Sequence, residues 1–280
     1  MVDERPDTIP KYITWLAKEH DVHVSARTKN HYESAVARML SEVESSSFWM
    51  QLSTDLRNYH ERYLLDTGYD LLLQATPVKL ELLTKPYESL LLKSFRRNIL
   101  DNALWPGEPK DGWVLPSNWF SQVGDLVRAR LVVKYLDGIT FVIDRVKEVA
   151  DKTGCPCDVA LEAREEGYYA AHLGIGQKVE IPKVNWDTET ITTSFEIQLT
   201  TQLQDVIGRL LHKYYEERRS RSPAAPQASK WQWDYQSEEF VANYLGHILH
   251  YVEGMIMDVR SRQAASASGL LTPKRTERRL

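Results

Sequence analysis

Cysteine is scarce in this sequence. Two occur among 280 residues, Cys155 and Cys157, and they flank Pro156. This spacing matches no common zinc motif, and a disulfide that bridges a single proline would be strained. We therefore expect two reduced thiols in a turn, which fits a reducing cytoplasm.

Long apolar runs and a strong charge of one sign are also lacking. No stretch approaches the ~20 apolar residues that a membrane-spanning helix needs. Residues 1–6 are acidic and carry no apolar core typical of a signal peptide. The net charge is −4, so any binding of nucleic acid must come from a local basic patch. We expect a cytoplasmic protein that does not associate with membranes.

The periodicity of apolar residues predicts helices at both ends of the chain and a mixed region between them. Apolar residues recur every three to four positions through residues 8–75, with breaks at 45–47 and 66–68. From residue 125 strand and helix patterns alternate. Strands are predicted at 131–135, 168–174 and 195–200, and helices at 87–101, 139–149, 202–217 and 237–262.

These patterns predict an α/β (α+β) fold, in which a small mixed sheet is flanked by N-terminal and C-terminal helices. Residues 102–120 are rich in tryptophan and proline, which favours a packed connection over a nucleotide lid. The predicted order is an N-terminal helical region (1–79), a catalytic core (80–219), a linker (220–232), a C-terminal helix packing on the core (233–262) and a disordered basic tail (263–280).

Four short motifs follow one another in the catalytic core. They are Lys85-Pro-Tyr-Glu-Ser89-Leu-Leu-Leu-Lys93, Asp125-Leu-Val-Arg128-Ala-Arg130, Gly167-Tyr168-Tyr-Ala-Ala-His172 and Phe195-Glu196-Ile-Gln198-Leu-Thr200-Thr201, with His212 beyond. Alternation along the last motif places Glu196 and Gln198 on one face of a strand. Two carboxylates near strands, with lysine, arginine, tyrosine and histidine around them, suit a site for Mg²⁺ and nucleotide phosphates.

This ordered set resembles the synthetase domain of the RelA/SpoT family, which transfers pyrophosphate from ATP to a nucleotide 3′-hydroxyl. The resemblance covers roughly residues 80–217 and implies a nucleotidyltransferase-like synthetase core. The first motif matches the family's lysine-serine-lysine stretch. The second matches its Asp-x-x-Gly-x-Arg stretch, with Arg128 in place of the usual glycine. The other two match its Gly-Tyr-x-x-x-His loop and its Glu-x-Gln strand, and His212 lies at the usual distance.

The resemblance implies a role for each of these residues. Asp125 would bind Mg²⁺, and Glu196 would either complete the metal site or act as the base that takes the proton of the acceptor hydroxyl. The residues expected to bind ATP are Lys85, Ser89, Lys93, Arg96, Arg128 and Arg130. Those expected to bind the acceptor are Tyr168, His172, Gln198 and His212.

Besides Arg128, Leu83 and Thr200 also depart from the family's pattern. Leu83 stands where the family often has an arginine that stacks on the adenine of the donor. Arg128 is a candidate for that role. Thr200 stands where an arginine follows the Glu-x-Gln pair, so positive charge is lost next to the acceptor. Residues 1–80 contain one His-Asp dipeptide, His20-Asp21, and we expect a synthetase without the family's hydrolase domain.

The leading hypothesis is therefore a synthetase that uses ATP to pyrophosphorylate GDP or GTP, giving (p)ppGpp and AMP. One alternative keeps the donor and changes the acceptor to the 3′ end of tRNA or to an adenosine nucleotide. An alternative of another class is a catalytically inactive module that senses nucleotides or binds a partner. The terminal helices are candidates for contact with a second copy of the chain or with an antitoxin.

Overall fold

The computed structural model describes residues 4–72, 80–182, 187–211 and 230–267. Three helices come first: α1 (Ile9–His20), α2 (Ala26–Glu44) and α3 (Ser47–Thr67). Ser46 caps α3 by accepting a hydrogen bond from the backbone N–H of Trp49, and Gly68 ends α3 in the left-handed conformation with φ 74°. The predicted helices and both breaks are confirmed as far as Thr67. The structure adds a break at 21–25 that was not predicted, residues 69–72 are not helical, and residues 73–75 lie outside the described residues.

Five strands form one mixed sheet in the order β1-β2-β5-β4-β3. They are β1 (Leu82–Thr84), β2 (Val127–Val133), β3 (Cys157–Ala163), β4 (Tyr169–Pro182) and β5 (Thr188–Thr201). β2 runs parallel to β5, and the other neighbours are antiparallel. The mixed sheet is therefore confirmed, although β1 and β3 were not predicted.

The two unpredicted strands lie at the edges of the sheet, where the sequence signal is weakest. β1 has only three residues. β3 alternates between half-buried and exposed positions, and its Leu161 is 73% exposed. A strand with one neighbour and no fully buried face lacks the regular apolar alternation that sequence patterns detect.

The central strands differ in length from those predicted. β2 begins at Val127, before the predicted start at 131, because Val127 and Ala129 continue the buried alternation. β4 and β5 form a long hairpin whose pairing runs from Ala171 opposite Leu199 to Pro182 opposite Thr188. Only the halves of β4 and β5 that lie far from their connecting segment were predicted, as strands at 168–174 and 195–200. The halves near that segment are rich in threonine and charged residues, so they lack an apolar alternation.

One face of the sheet is apolar and packs against helices. α2, α3 and α6 (Leu136–Thr153) cover it. Full burial of a side chain of this kind contributes roughly 1.5–3 kcal/mol. The strand residues of this core are Val127, Ala129, Leu131, Val133, Ala171, Leu173, Ile175, Phe195, Ile197 and Leu199. The residues between them form the opposite, polar face.

A second, smaller core joins α1 to the aromatic connection. α4 (Tyr87–Phe95) continues into a π-helical turn (Arg96–Leu100), and the connection that follows contains the short helix α5 (Trp119–Gln122). The ring of Trp15 lies 5.6 Å from that of Trp105 and 5.2 Å from that of Trp113. These contacts agree with the prediction that residues 102–120 are packed.

Within the described residues, the α-helices that follow the sheet are α7 (Gln202–Leu210) and α8 (Glu238–Ala267). α8 begins close to its predicted start but continues to Ala267, so residues 263–267, predicted to be disordered, are helical. His212, the segment 220–229 and the basic cluster 274–279 lie outside the described residues. In the ranges that the structure describes, no helix is long and apolar enough to cross a membrane.

Candidate active site

Asp125 binds two lysines in the turn that leads into β2. The Nζ of Lys85 lies 2.7 Å from its Oδ2, and the Nζ of Lys93 lies 2.8 Å from its Oδ1. Lys85 comes directly after β1, whereas Lys93 lies on α4. Since β1 pairs with β2, the start of α4 is brought beside the turn at Asp125. We call these three residues the lysine–aspartate cluster.

The lysines keep Asp125 ionised. Burial alone would raise the pKa of Asp125, but the charges of Lys93 and Lys85 and their hydrogen bonds outweigh it and lower the pKa from 3.8 to about 2. Burial lowers the pKa of Lys85, and the attraction of Asp125 opposes that effect. The hydroxyl of Tyr32 donates to the backbone oxygen of Lys85 at 2.6 Å, which fixes the main chain there.

A second group lies on the polar face of β4 and β5. The Nδ1 of His172 is 3.0 Å from Oε2 of Glu196, and its Nε2 is 3.2 Å from the hydroxyl of Tyr168. The side-chain amide of Gln198 donates to the same hydroxyl at 2.5 Å. These contacts follow from the register, in which His172 pairs with Gln198. We call these four residues the glutamate–histidine cluster.

Glu196 affects the ionisation of His172. It also lies beside open space above Gly174. Burial would lower the pKa of His172, but the hydrogen bond and the charge of Glu196 outweigh it, so the pKa is raised. Gly174 pairs with Glu196 across the hairpin, and a Cβ at Gly174 would meet nothing within 4 Å. A ligand therefore has room to approach Glu196 over β4.

Arg128 lies between the two clusters. It pairs in register with Glu196, and its charge lowers the pKa of Lys85. Arg130 projects from the same face of β2, but its guanidinium lies 2.8 Å from Asp205 of α7. Arg130 therefore has an internal partner in this structure, although the sequence places it with ATP.

The other predicted residues are distributed as follows. Ser89 is half-buried on α4, one turn before Lys93. Arg96 contacts Asp101 at 3.3 Å, and no contact described here joins it to Asp125. His212 lies outside the described residues.

Sequence reasoning missed Arg164. Its guanidinium lies 5.3 Å from the centre of the Tyr168 ring and forms an ion pair with Glu162 at 2.5 Å. The turn between β3 and β4 brings it there, since the backbone N–H of Arg164 donates to the oxygen of Tyr168. The signal was hidden because β3 was not predicted, so the charged stretch before Gly167 looked like an ordinary loop.

The residues present suit a magnesium ion that is completed by substrate. Among the described residues there is no group of three or more histidine, cysteine, aspartate or glutamate side chains able to hold a metal by itself. Mg²⁺, however, is usually held by one or two carboxylates together with phosphate oxygens and water. Asp125 is the carboxylate that would supply such a ligand, once substrate phosphates draw Lys85 and Lys93 away from the two oxygens that they bind in this structure.

No protein-family model matches this sequence, and no curated protein matches it. Solved structures do. The small alarmone synthetase 1 from Bacillus subtilis, bound to its product pppGpp, matches over 85% of this chain and 100% of that one, with 14% identity and a TM-score of 0.51.

This chain has the fold of the small alarmone synthetases. A second structure of the same Bacillus subtilis protein agrees, over 85% of this chain and 96% of the other, with 14% identity and a TM-score of 0.50. At this identity the similarity establishes the fold. The chemistry of the site has to be argued from the residues of this chain.

Proposed function

We propose that this protein transfers pyrophosphate from ATP to the 3′-hydroxyl of GDP or GTP. One observation carries the proposal: Arg128 of β2 lies between the lysine–aspartate cluster, at the entry to β2, and the glutamate–histidine cluster, on the neighbouring strands β5 and β4. One cluster offers cations to a donor, and the other offers a carboxylate and an aromatic ring to an acceptor. A transfer reaction needs these two halves side by side.

On the donor side, the reaction requires little covalent help from the protein. The site must neutralise the triphosphate and align it with the attacking oxygen. Lys85, Lys93 and Arg128 supply positive charge, which charge-assisted hydrogen bonds direct at phosphate oxygens. Asp125 would hold Mg²⁺, which would neutralise charge that develops on the phosphates.

On the acceptor side, Glu196 is the residue that takes the proton. The acceptor oxygen attacks the β-phosphorus of ATP, and its proton passes to Glu196. The bond between the β-phosphorus and the oxygen that bridges it to the α-phosphorus breaks, so that AMP leaves with that oxygen. His172 holds one carboxylate oxygen of Glu196 and leaves the other for the hydroxyl. We assign Glu196 the role of general base because this second oxygen is open to a proton from the acceptor hydroxyl.

Tyr168 and Arg164 suit the base and the phosphates of the acceptor. The Tyr168 ring is held at its hydroxyl by Gln198 and His172, which leaves its ring as a stacking surface for a base. Arg164 lies beside that ring and supplies positive charge near the acceptor. It offsets the charge that is lost at Thr200.

A second acceptor class is favoured by one observation. Thr200 lies on β5 beyond Gln198, is 4% exposed and carries no charge. Stacking on tyrosine accepts any base, so this site does not by itself select guanine. Transfer to an adenosine nucleotide or to the 3′ end of tRNA is therefore the second candidate.

The deciding experiment uses ATP labelled at the γ-phosphate with Mg²⁺ and, in separate reactions, GDP, GTP, ADP, ATP or deacylated tRNA. A Glu196→Gln protein is the matched control. The proposal is supported if label moves to GDP or GTP with the wild-type protein and does not move with the Glu196→Gln protein. Label that moves only to tRNA or to an adenosine nucleotide selects the second candidate, and no transfer to any acceptor rejects both.

A further inference from the structure

The backbone of α8 touches the turn that carries Tyr168. Gly246 of α8 and Gly167 lie so close that a Cβ on Gly246 would overlap the carbonyl oxygen of Gly167 and approach its carbonyl carbon to 2.9 Å. A Cβ on Gly167 would in turn overlap the backbone oxygen of Asn243. Gly167 also has a φ of 77°, a conformation that glycine adopts without strain. Contact this close requires glycine on both sides.

Side chains of α8 extend the contact on either side of Gly246. The Nδ1 of His247 lies 2.8 Å from the hydroxyl of Tyr169, and its Nε2 lies 2.9 Å from the backbone oxygen of Glu165. The ring of His250 stacks on that of Tyr169 at 3.7 Å with an angle of 10° between the planes. α8 therefore binds the chain both before and after Tyr168.

Tyr168 itself points away from α8. Its hydroxyl meets Gln198 and His172 on the polar face of the sheet. Its chain neighbours, Gly167 and Tyr169, both contact α8. The direction of the Tyr168 side chain is thus set by a backbone that contacts α8 at the residue before it and at the residue after it.

We propose that α8 is a clamp for the acceptor-binding turn, and that Gly246, His247 and Tyr169 are positioning residues for Tyr168. The inference rests on the proposed function, because it gives the clamp its purpose: a fixed stacking surface for the base of the acceptor. None of the three residues has a contact with Glu196 or with the lysine–aspartate cluster among the described contacts. The clamp therefore acts on the binding of the acceptor and leaves the donor side unchanged.

A matched pair of glycine substitutions on α8 tests the clamp. Gly246→Ala places a methyl group against Gly167, whereas a Cβ at Gly254 would meet nothing within 4 Å. For Gly246→Ala we expect the KM of the acceptor to rise by about tenfold, with the KM of ATP within about twofold. Gly254→Ala should leave both KM values unchanged and keep or raise the melting temperature.

A gentler pair removes one hydroxyl without forcing atoms together. Tyr169→Phe loses the hydrogen bond to His247, and Tyr251→Phe removes a hydroxyl from a tyrosine of α8 that is 70% exposed. Tyr169→Phe should raise the KM of the acceptor by about threefold to tenfold, and Tyr251→Phe should not. The proposal would be overturned if Gly246→Ala and Tyr169→Phe had the same acceptor KM as their control variants. It would also be overturned if the KM of the acceptor and the KM of ATP rose by the same factor.

Hydrogen exchange separates a failure of the clamp from a failure of the proposed function. The amides of residues 164–169 should exchange faster in Gly246→Ala than in Gly254→Ala, while those of β2 and β5 exchange equally in both. If wild-type protein transfers no label, the proposed function fails, and this comparison still decides whether α8 holds the turn. Equal exchange at residues 164–169 would show that it does not.

Discussion

His172 and Glu196 are joined across β4 and β5 by a contact of 3.0 Å between Nδ1 and Oε2. The two residues lie in motifs more than twenty positions apart, and the antiparallel hairpin brings them to the same face. Because the carboxylate raises the pKa of the imidazole, Glu196 favours the protonated form of His172. This ion pair gives the site a measurable signature.

The first prediction concerns the ionisation of His172. Glu196→Gln removes the charge that raises the pKa of His172, so burial then dominates and the pKa should fall below its value in the wild-type protein. NMR titration of the histidine ring signals measures this shift. Since the folded-state pKa is raised, the pair stabilises the protein below pH 6.5, and that contribution should be lost as pH rises through the folded-state pKa. An unchanged titration would mean that the contact is not formed in solution.

The second prediction concerns the ring of Tyr168. Tyr168→Ala should raise the KM of the acceptor by roughly 5-fold to 100-fold, because stacking on an aromatic ring contributes about 1–3 kcal/mol per base. Tyr168→Phe keeps the ring and loses the bonds to Gln198 and His172, so a smaller rise is expected. Steady-state kinetics with varied acceptor measures both variants. Equal effects of Ala and Phe would show that the hydroxyl, and not the ring, is the essential group.

The third prediction concerns the stability of the lysine–aspartate cluster. Asp125→Asn leaves Lys85, which is 9% exposed, without its counter-charge. Removing one partner of a buried ion pair costs about 3–5 kcal/mol of unfolding free energy. Urea unfolding measures this loss. Asp70→Asn, which breaks the more exposed pair with Lys134, is the control and should cost less than about 1 kcal/mol.

A double variant checks that the third prediction has the stated cause. Asp125→Asn with Lys85→Met removes both charges of the pair, so part of the lost stability should return. Strictly additive losses would indicate that the two residues are not coupled.

The fourth prediction concerns Glu253, a residue of α8 that is 4% exposed. Burial raises the pKa of Glu253 from 4.5 to about 7, although the nearby Thr201 side chain opposes the shift. The folded protein therefore holds a proton that the unfolded chain releases, and stability should fall as pH rises from about 4.5 to about 7.

Substitution isolates this effect. Glu253→Gln should remove the decline and stabilise the protein by on the order of 2–3 kcal/mol above pH 7. Urea unfolding between pH 4.5 and 8 measures it, with Glu238→Gln, an exposed glutamate of the same helix, as the control. If both variants follow the same curve as the wild-type protein, Glu253 is not buried as described.

Much of the fold was predictable because its elements carry local signals. The amphipathic helices at the N-terminus, and β4 and β5 where they pair near Leu173 and Ile197, bury a regular face, which periodicity reveals. α8 was also predicted from its periodicity, although Tyr244, Ile248 and Met255 of its apolar side are exposed. The edge strands β1 and β3 were not predictable in the same way. They have few buried side chains of their own and become strands because β2 and β4 offer them a hydrogen-bonding edge.

For the candidate site, the sequence by itself determined the motifs, from Lys85 to Gln198, and the alternation that puts Glu196 and Gln198 on one face. Tertiary structure alone decided which of these residues meet: Asp125 binds Lys85 and Lys93, His172 binds Glu196, and Arg130 is drawn to Asp205. It also placed Arg164 on Tyr168 and α8 against Gly167. The physical reason is that periodicity specifies which face a residue occupies, whereas partners distant in sequence are selected by strand register and helix packing.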